Sequence, residues 1–317
     1  MFAVIGEALL DMVQPDPGGA FLAKPGGGPM NIAIGLQRLA HPTALMARLS
    51  NGPLGEIVRH HIESNELDLG TCVSTGDQTT LAFASLDEQR RASYEFYVHG
   101  TADWGWTDAE LSVFPEGTRA VHTGSVAAFL APGADALLRL WQRTRRQGQL
   151  LLSFDPNVRP ALVGERDDAV ARVERFVAAS HVVKASDEDL GWLYPDTALP
   201  EVLRRWSTLG PELVVMTRGP AGCVATGPSR NPLESSGRVV DVVDTIGAGD
   251  AFESGLLSAI ADLGRAAPGA VKDVSDGDLT SILDRAITVS AMTCQREGAD
   301  PPTRVQYDEY SAVVATQ

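Results

Sequence analysis

The sequence predicts an α/β fold: one mostly parallel sheet with helices on both faces and a small β flap at its edge. Three observations carry that prediction. Short runs rich in Val, Ile and Leu alternate along the chain with stretches of helical periodicity, as in successive βα units. Residues 79–98 interrupt this with period-two alternation, Leu81, Phe83 and Ser85, then Tyr94, Phe96 and Val98, around the charged turn Asp87-Glu88-Gln89-Arg90-Arg91. Finally, a glycine-rich turn at Gly247-Ala248-Gly249 opens directly into a helical pattern.

Residues 3–6 read as the first strand, because the start of the chain has no basic lead and meets Glu7 almost at once, unlike a signal peptide. Residues 29–39 follow a glycine run and read as a helix, 44–49 as a strand, and 55–65 as a helix with Ile57, His61 and Ile62 at helical spacing. A stretch rich in Pro and Gly at 13–24 joins the hairpin, so the flap is expected from about 12–25 and 79–100. Further strands are expected at 120–123, 150–155, 181–184 and 213–217, with helices at 134–146, 167–179 and 200–208. Neither a repeat nor a long linker divides the 317 residues, which predicts a single domain over 1–317.

With 41 acidic against 26 basic residues the formal charge is −15, a field that repels phosphate backbones and anionic lipid. A general nucleic-acid or membrane role is therefore not expected, although a local basic pocket could hold one nucleotide. No apolar run reaches the roughly 18–20 residues that span a bilayer, and the reading is of a cytoplasmic protein. Cys72, Cys223 and Cys294 are scattered, as buried thiols in a reducing compartment would be. His60 and His61 are helix neighbours facing different ways, a poor arrangement for a shared metal.

The chemistry concentrates in Asp244-Thr245-Ile246-Gly247-Ala248-Gly249-Asp250. Glycines on either side of Ala248 let the backbone turn sharply, and Phe252, Leu256, Ile260 and Leu263 then follow at helical spacing. Unpaired N–H groups and the helix dipole favour an anion there. Asp250, in the first turn beside that anion, is placed to take a proton from an attacking hydroxyl. The plainer reading is a tight turn with Asp250 as a cap; the company of Asp244 and Thr245 argues against it. The three lysines, Lys24, Lys184 and Lys272, do not follow glycine as a Walker loop requires, and no Gly-x-Gly-x-x-Gly follows the first strand. A second constellation, Asp155, Asn157 and Arg159, stands at the C-terminal end of a strand, where open α/β sheets bind ligands. If the extended backbone continues, all three share one face.

On these residues the chain resembles the PfkB (ribokinase-like) carbohydrate kinases, whose C-terminal signature is Asp-Thr-x-Gly-Ala-Gly-Asp. Their N-terminal signature is similar to Gly26-Gly27-Gly28-Pro29-Met30-Asn31-Ile32-Ala33 with Leu36 and Leu39. Between the two lie Ser153-Phe154-Asp155-Pro156-Asn157-Val158-Arg159-Pro160 and Thr217-Arg218-Gly219-Pro220-Ala221-Gly222, in family order from Gly6 to about Pro302. Gly6-Glu7 with Asp11, the Asp155 to Pro160 run and Gly100-Thr101-Ala102-Asp103 resemble the fructokinases most.

The resemblance implies a ribokinase-like fold and ATP-dependent phosphorylation of a sugar hydroxyl, with fructose favoured. It also implies magnesium, a monovalent cation such as potassium, a homodimer and a flap that serves as a lid. Asp250 would be the base, with N–H groups of Gly247, Ala248 and Gly249 stabilising the transferred phosphoryl group. Asp11, Gly27, Gly28, Asn31, Asp155, Asn157 and Arg159 would hold the sugar. Lys184, Thr217, Gly219, Gly222, Ala291 and Cys294 would line the nucleotide site, Glu188 and Asp189 would reach magnesium through water, and Asp244, Ile246 and Gly298 would hold the monovalent cation. Three departures bear on specificity or magnesium handling. Asp189 stands where the family usually has Glu, Ser50-Asn51-Gly52 where relatives often have Gly-x-Asp, and Val98 where fructokinases usually have Arg. 2-Keto-3-deoxygluconate, ribose or a nucleoside are the alternative acceptors, and a sugar- or nucleotide-binding sensor without catalysis is the alternative of another class.

Overall fold

The computed structural model describes residues 1–14, 18–86 and 92–314. The strands in chain order are β1 (Phe2–Ile5), β2 (Leu9–Val13), β3 (Leu22–Gly26), β4 (Thr43–Met46), β5 (Arg48–Ser50), β6 (Val73–Thr75), β7 (Leu81–Leu86), β8 (Ala92–Tyr97), β9 (Ala120–Gly124), β10 (Leu151–Asp155), β11 (Val182–Ser186), β12 (Leu213–Thr217), β13 (Cys223–Gly227) and β14 (Arg230–Ser235). The helices are α1 (Gly28–Arg38), α2 (Pro53–Ser64), α3 (Gly133–Gln147), α4 (Arg166–Ala178), α5 (Asp187–Leu193), α6 (Leu199–Leu209), α7 (Ala248–Asp262), α8 (Asp276–Cys294) and α9 (Arg304–Val314).

Eight strands form the large sheet in the order β14-β13-β12-β11-β10-β9-β1-β4. From β4 to β12 every pairing is parallel, and β13 and β14 close that edge antiparallel. Apart from the edge strand β14, the strands are buried on both faces, so alternate residues feed two cores. Ala3, Ile5, Leu152 and Phe154 pack with Trp141, Phe176 and Trp206 of α3, α4 and α6. Phe2, Val4 and Leu151 pack with Met30, Leu36, Leu256, Ile260 and Leu283 of α1, α7 and α8. Phe154 stacks on Phe176 at a centroid distance of 4.8 Å, and the indole of Trp141 donates to Ser180 Oγ at 2.9 Å.

A second sheet, β3-β2-β7-β8, holds the expected hairpin. The charged turn 87–91 lies outside the described residues. The stretch 13–24, read as a break, supplies the ends of β2 and β3, and β2 also pairs in parallel with β7.

Three expectations are corrected. Residues 44–49 are not one strand. The chain leaves the large sheet at Ala47, and β5 pairs with β6 in a separate two-stranded sheet. Every residue from Thr43 to Ser50 is buried, so periodicity could not mark the switch. In α2 the inward face is Gly55, Val58 and Ile62, while Ile57 is 40% exposed. Gly55 sets that rotation, because a Cβ there would fall 2.1 Å from Ser50 O. All three cysteines are free, but only Cys223 is buried. Among the described residues no helix is long and apolar enough to cross a membrane.

Candidate active site

The site is built where α1 meets α7 at the C-terminal end of the sheet. Gly247 caps α7 in the left-handed conformation (φ 73°), and a Cβ on it would lie 2.5 Å from Ala299 Cβ. The first N–H groups of a helix have no carbonyl within the helix to donate to; in α7 that of Ala248 donates instead to Thr245 O, before the helix, at 3.2 Å. Asp250 is in the first turn and buried. Asn31, in the first turn of α1, donates Nδ2 to Asp250 Oδ2 at 2.8 Å. Gly35 permits that contact by letting the helices approach, since a Cβ there would lie 2.5 Å from Ser254 Oγ of α7.

The glycine run is explained position by position. A Cβ on Gly26 would lie 2.0 Å from Asp11 Oδ2, and one on Gly27 (φ 117°) would lie 2.6 Å from Glu7 O. On Gly28 it would sit 3.2 Å from both Asn157 Nδ2 and Asp250 Oδ1. The run therefore brings backbone up to the carboxylates of Asp11 and Asp250 with no side chain between. Gly26 was not expected in the site; its signal is only its place in the run.

Asp155 ends β10, and its Oδ2 accepts from Lys184 Nζ at 2.6 Å, both groups buried. Burial pushes the Asp155 carboxyl up to about 6, whereas Asp155 and Glu253 outweigh burial and hold Lys184 firmly as an ammonium. The short contact, with Asn157 N–H on the other Asp155 oxygen at 3.1 Å, is that of a charged pair. Lys184 also lies by the glycine turn that opens α7, its Nζ 3.2 Å from where a Cβ on Gly249 would be. It stands at the centre of the site, although its reading from sequence was as a nucleotide contact alone.

The shared face expected for Asp155, Asn157 and Arg159 does not form, because Asn157 has φ 37° and breaks the alternation. The turn still gathers them: Arg159 donates to Asn157 Oδ1 at 2.7 Å. Burial pushes Asp11 up to about 6, with Arg159 opposing and Asp250 adding to the rise. Burial also raises Asp250, against the Asn31 hydrogen bond and the charges of Lys184, Arg159 and His122. Asp189 holds this turn to α5: its Oδ1 accepts from Val158 N at 2.7 Å and its Oδ2 from Ser186 N and Oγ. Glu188 is exposed.

Of the residues expected at the nucleotide, Thr217 ends β12 in register with Ser186 of β11. Gly219 has φ 52° and open space around it, while Gly222 is required by packing, since a Cβ there would lie 2.0 Å from Ser235 O. Ala291 and Cys294 lie on α8, and Cys294 O accepts from Val243 N and Asp244 N. Asp244 accepts from Ile246 N at 3.0 Å and Gly298 N at 2.9 Å, which gathers the three residues expected around a monovalent cation. A separate cavity of about 280 Å3, bounded by Asp77, His99, Thr101, Trp104 and Pro132, contains none of the Asp250 loop.

A glycine-capped helix start that carries a buried, amide-clamped carboxylate, at the C-terminal end of a largely parallel sheet, is an arrangement suited to phosphoryl transfer. Residues 1–305 match the pfkB family of carbohydrate kinases. The chain belongs to that family and is a carbohydrate kinase. It is 34% identical over 263 residues to a fructokinase of Rhizobium leguminosarum bv. trifolii, covering 82% of this chain and 79% of the relative. A fructokinase from Xylella fastidiosa, solved with bound ATP, has the same fold with a TM-score of 0.90 at 24% identity, over 99% of this chain and 98% of the other. A fructokinase double mutant from Vibrio cholerae, solved with fructose, ADP and a potassium ion, gives a TM-score of 0.80 at 26% identity, over 94% of this chain and 93% of the other.

Proposed function

We propose that this protein transfers the terminal phosphoryl group of ATP to a hydroxyl of fructose, with Asp250 as base. The hydroxyl oxygen attacks the terminal phosphorus, its proton passes to Asp250, and the bond from that phosphorus to the bridging oxygen breaks to release ADP. N–H groups of Gly247, Ala248 and Gly249, with Lys184, would receive the charge on the transferred group. Asp11, Asn31, Asn157 and Arg159, around the bare backbone of Gly27 and Gly28, would orient the sugar.

The observation that carries this reading is the contact from Asn31 to Asp250, which ties the sugar-side motif on α1 to the phosphate loop on α7. The kinship to fructokinases supports fructose as acceptor. We favour a neutral sugar over 2-keto-3-deoxygluconate, because a carboxylate wants a positive clamp: Arg159 could supply one charge, and Val98 stands at the sequence position where a second would be expected.

Magnesium would be held mainly by the phosphates and water. Asp189 already accepts hydrogen bonds at both oxygens and Glu188 faces solvent, a pair suited to water-mediated contact only. Potassium would sit by Asp244, the carbonyl of Ile246 and Gly298. The small sheet, which carries Asp11, would act as the lid, and its exposed Phe21, Leu22 and Tyr97 favour pairing across a homodimer. We place the reaction in the cytoplasm.

The test is coupled ADP release over fructose, 2-keto-3-deoxygluconate, ribose and nucleosides, for wild type and Asp250→Asn. Fructose should turn over fastest, and the variant should lose about 10²–10⁴-fold in kcat while still binding both substrates. Persistent activity in the variant sinks the base assignment. Turnover on another acceptor replaces fructose, and binding without turnover on any sugar supports the sensor.

A further inference from the structure

Behind the base lies a buried polar cluster that the transfer chemistry does not use. Glu253 of α7 is three residues on from Asp250, His122 comes from β9 and Ser153 from β10. Ser153 Oγ donates to Glu253 Oε1 at 2.5 Å. His122 Nδ1 lies 3.3 Å from the same carboxylate oxygen and 3.2 Å from Ser153 Oγ. The serine and the carboxylate both lie at the same ring nitrogen, so the trio is not a nucleophile relay, which needs the serine and the acid on opposite nitrogens. His122 is 1% exposed and Glu253 0%, and His122 Nε2 and Glu253 Oε2 have no hydrogen-bond partner among the described residues.

A fully buried carboxylate with one orphan oxygen demands a positive partner. Left alone at i+3 from Asp250, Glu253 would oppose ionisation of the base. Among the described residues, the group in contact with it that can carry positive charge is His122. The ring also lines a narrow crevice with Gly28, Ser125, Asp155 and Asn157, and Gly28 abuts Asp250 Oδ1. His122 thus stands between Glu253 and the reaction centre. The other charged groups there are Asp250 of α7, Asp155 of β10 and Lys184 of β11, with Arg159 and Asp11 on the far side of Asp250 and Asp189 beyond Asp155.

We propose that His122 is a positioning residue for the transfer: held as an imidazolium by Glu253 and Ser153, it supplies the positive charge behind Asp250 that keeps the base ionised. The carboxylate side agrees. Burial opposes the charge of Glu253, yet the hydrogen bonds and charges of His122, Lys184 and Ser153 hold its carboxyl below the usual range. The proposal rests on the reading of Asp250 as base.

Two measurements test it. In ¹⁵N-histidine-labelled wild type, the ring nitrogens of His122, assigned by comparison with Glu253→Gln, should give the imidazolium pattern at pH 7.5 and a neutral pattern in the variant. A neutral ring in wild type overturns the proposal, and this readout survives even if His122 variants fail to fold. In His122→Gln, the acidic limb of kcat/KM against pH should move upward by about 0.5–1 unit, with both KM values within about twofold of wild type. An unmoved limb overturns it as well. The base reading fails separately, through Asp250→Asn retaining activity, an outcome that leaves the ring-nitrogen result intact.

Discussion

Asp250 is kept from water by α1 and α7, and its carboxyl is raised first by burial. As the proposed base, Asp250 would take the proton in its ionised form, so kcat/KM should fall on the acid side at a pH above the ordinary aspartate range. Glu7 makes a separate statement about stability. Burial pushes it from 4.5 to about 7, although Ser125 and the Ala127 N–H hydrogen-bond to it. A carboxyl raised on folding contributes stability that is present below pH 4.5 and is lost as pH climbs to about 7. The size is on the order of 3 kcal/mol. Thermal denaturation should therefore show wild type losing stability between pH 5 and 8, and Glu7→Gln should flatten that slope. An unchanged slope would mean that Glu7 is not the group titrating.

At the scale of elements, the join of α1 and α7 decides whether Asn31 reaches Asp250. Gly35→Ala forces a Cβ to within 2.5 Å of Ser254 Oγ and 2.7 Å of Ser254 Cβ, so the helices must separate. Overpacking of this kind costs about 1–3 kcal/mol, to be read by urea unfolding, and turnover should suffer more than ATP binding. Strands and helices of this fold were legible because each alternates one apolar period with the other. Asp250 was legible because a glycine turn before a helix has one main physical use. Other features depend on contacts that sequence spacing does not encode. The exit at Ala47 falls within a wholly buried run, and the turn at Asn157 places a residue with φ 37° where an extended chain was expected. The clamp of Lys184 on Asp155 joins two strands 29 positions apart. Glu253 left a trace as a lone acid in an apolar stretch of helix, but its partners on β9 and β10 could not be read from its own neighbourhood.

Across the whole molecule, two cores share one sheet, and the proposed reaction centre draws on both sides of it. α1 and α7 come from one core, while β10 and β11 reach the centre at their C-terminal ends. The small sheet touches the far side through Lys24, whose Nζ lies 2.6 Å from Glu297 Oε1 in the loop after α8. Both side chains are well exposed, so the pair adds little to stability.

The burial of Lys184 has a practical consequence for chemical labelling. Lys24 and Lys272 are exposed, whereas Lys184 is buried with its amine held as a cation against Asp155. An amine-selective acylating reagent should therefore tag Lys24, Lys272 and the chain's amino terminus within minutes, and reach Lys184 only when the strand ends part. Peptide mass mapping over time would then turn that one amine into a clock for breathing at the reaction centre. Bound nucleotide should slow the clock, and prompt modification of Lys184 in the resting protein would show that the burial seen here is transient.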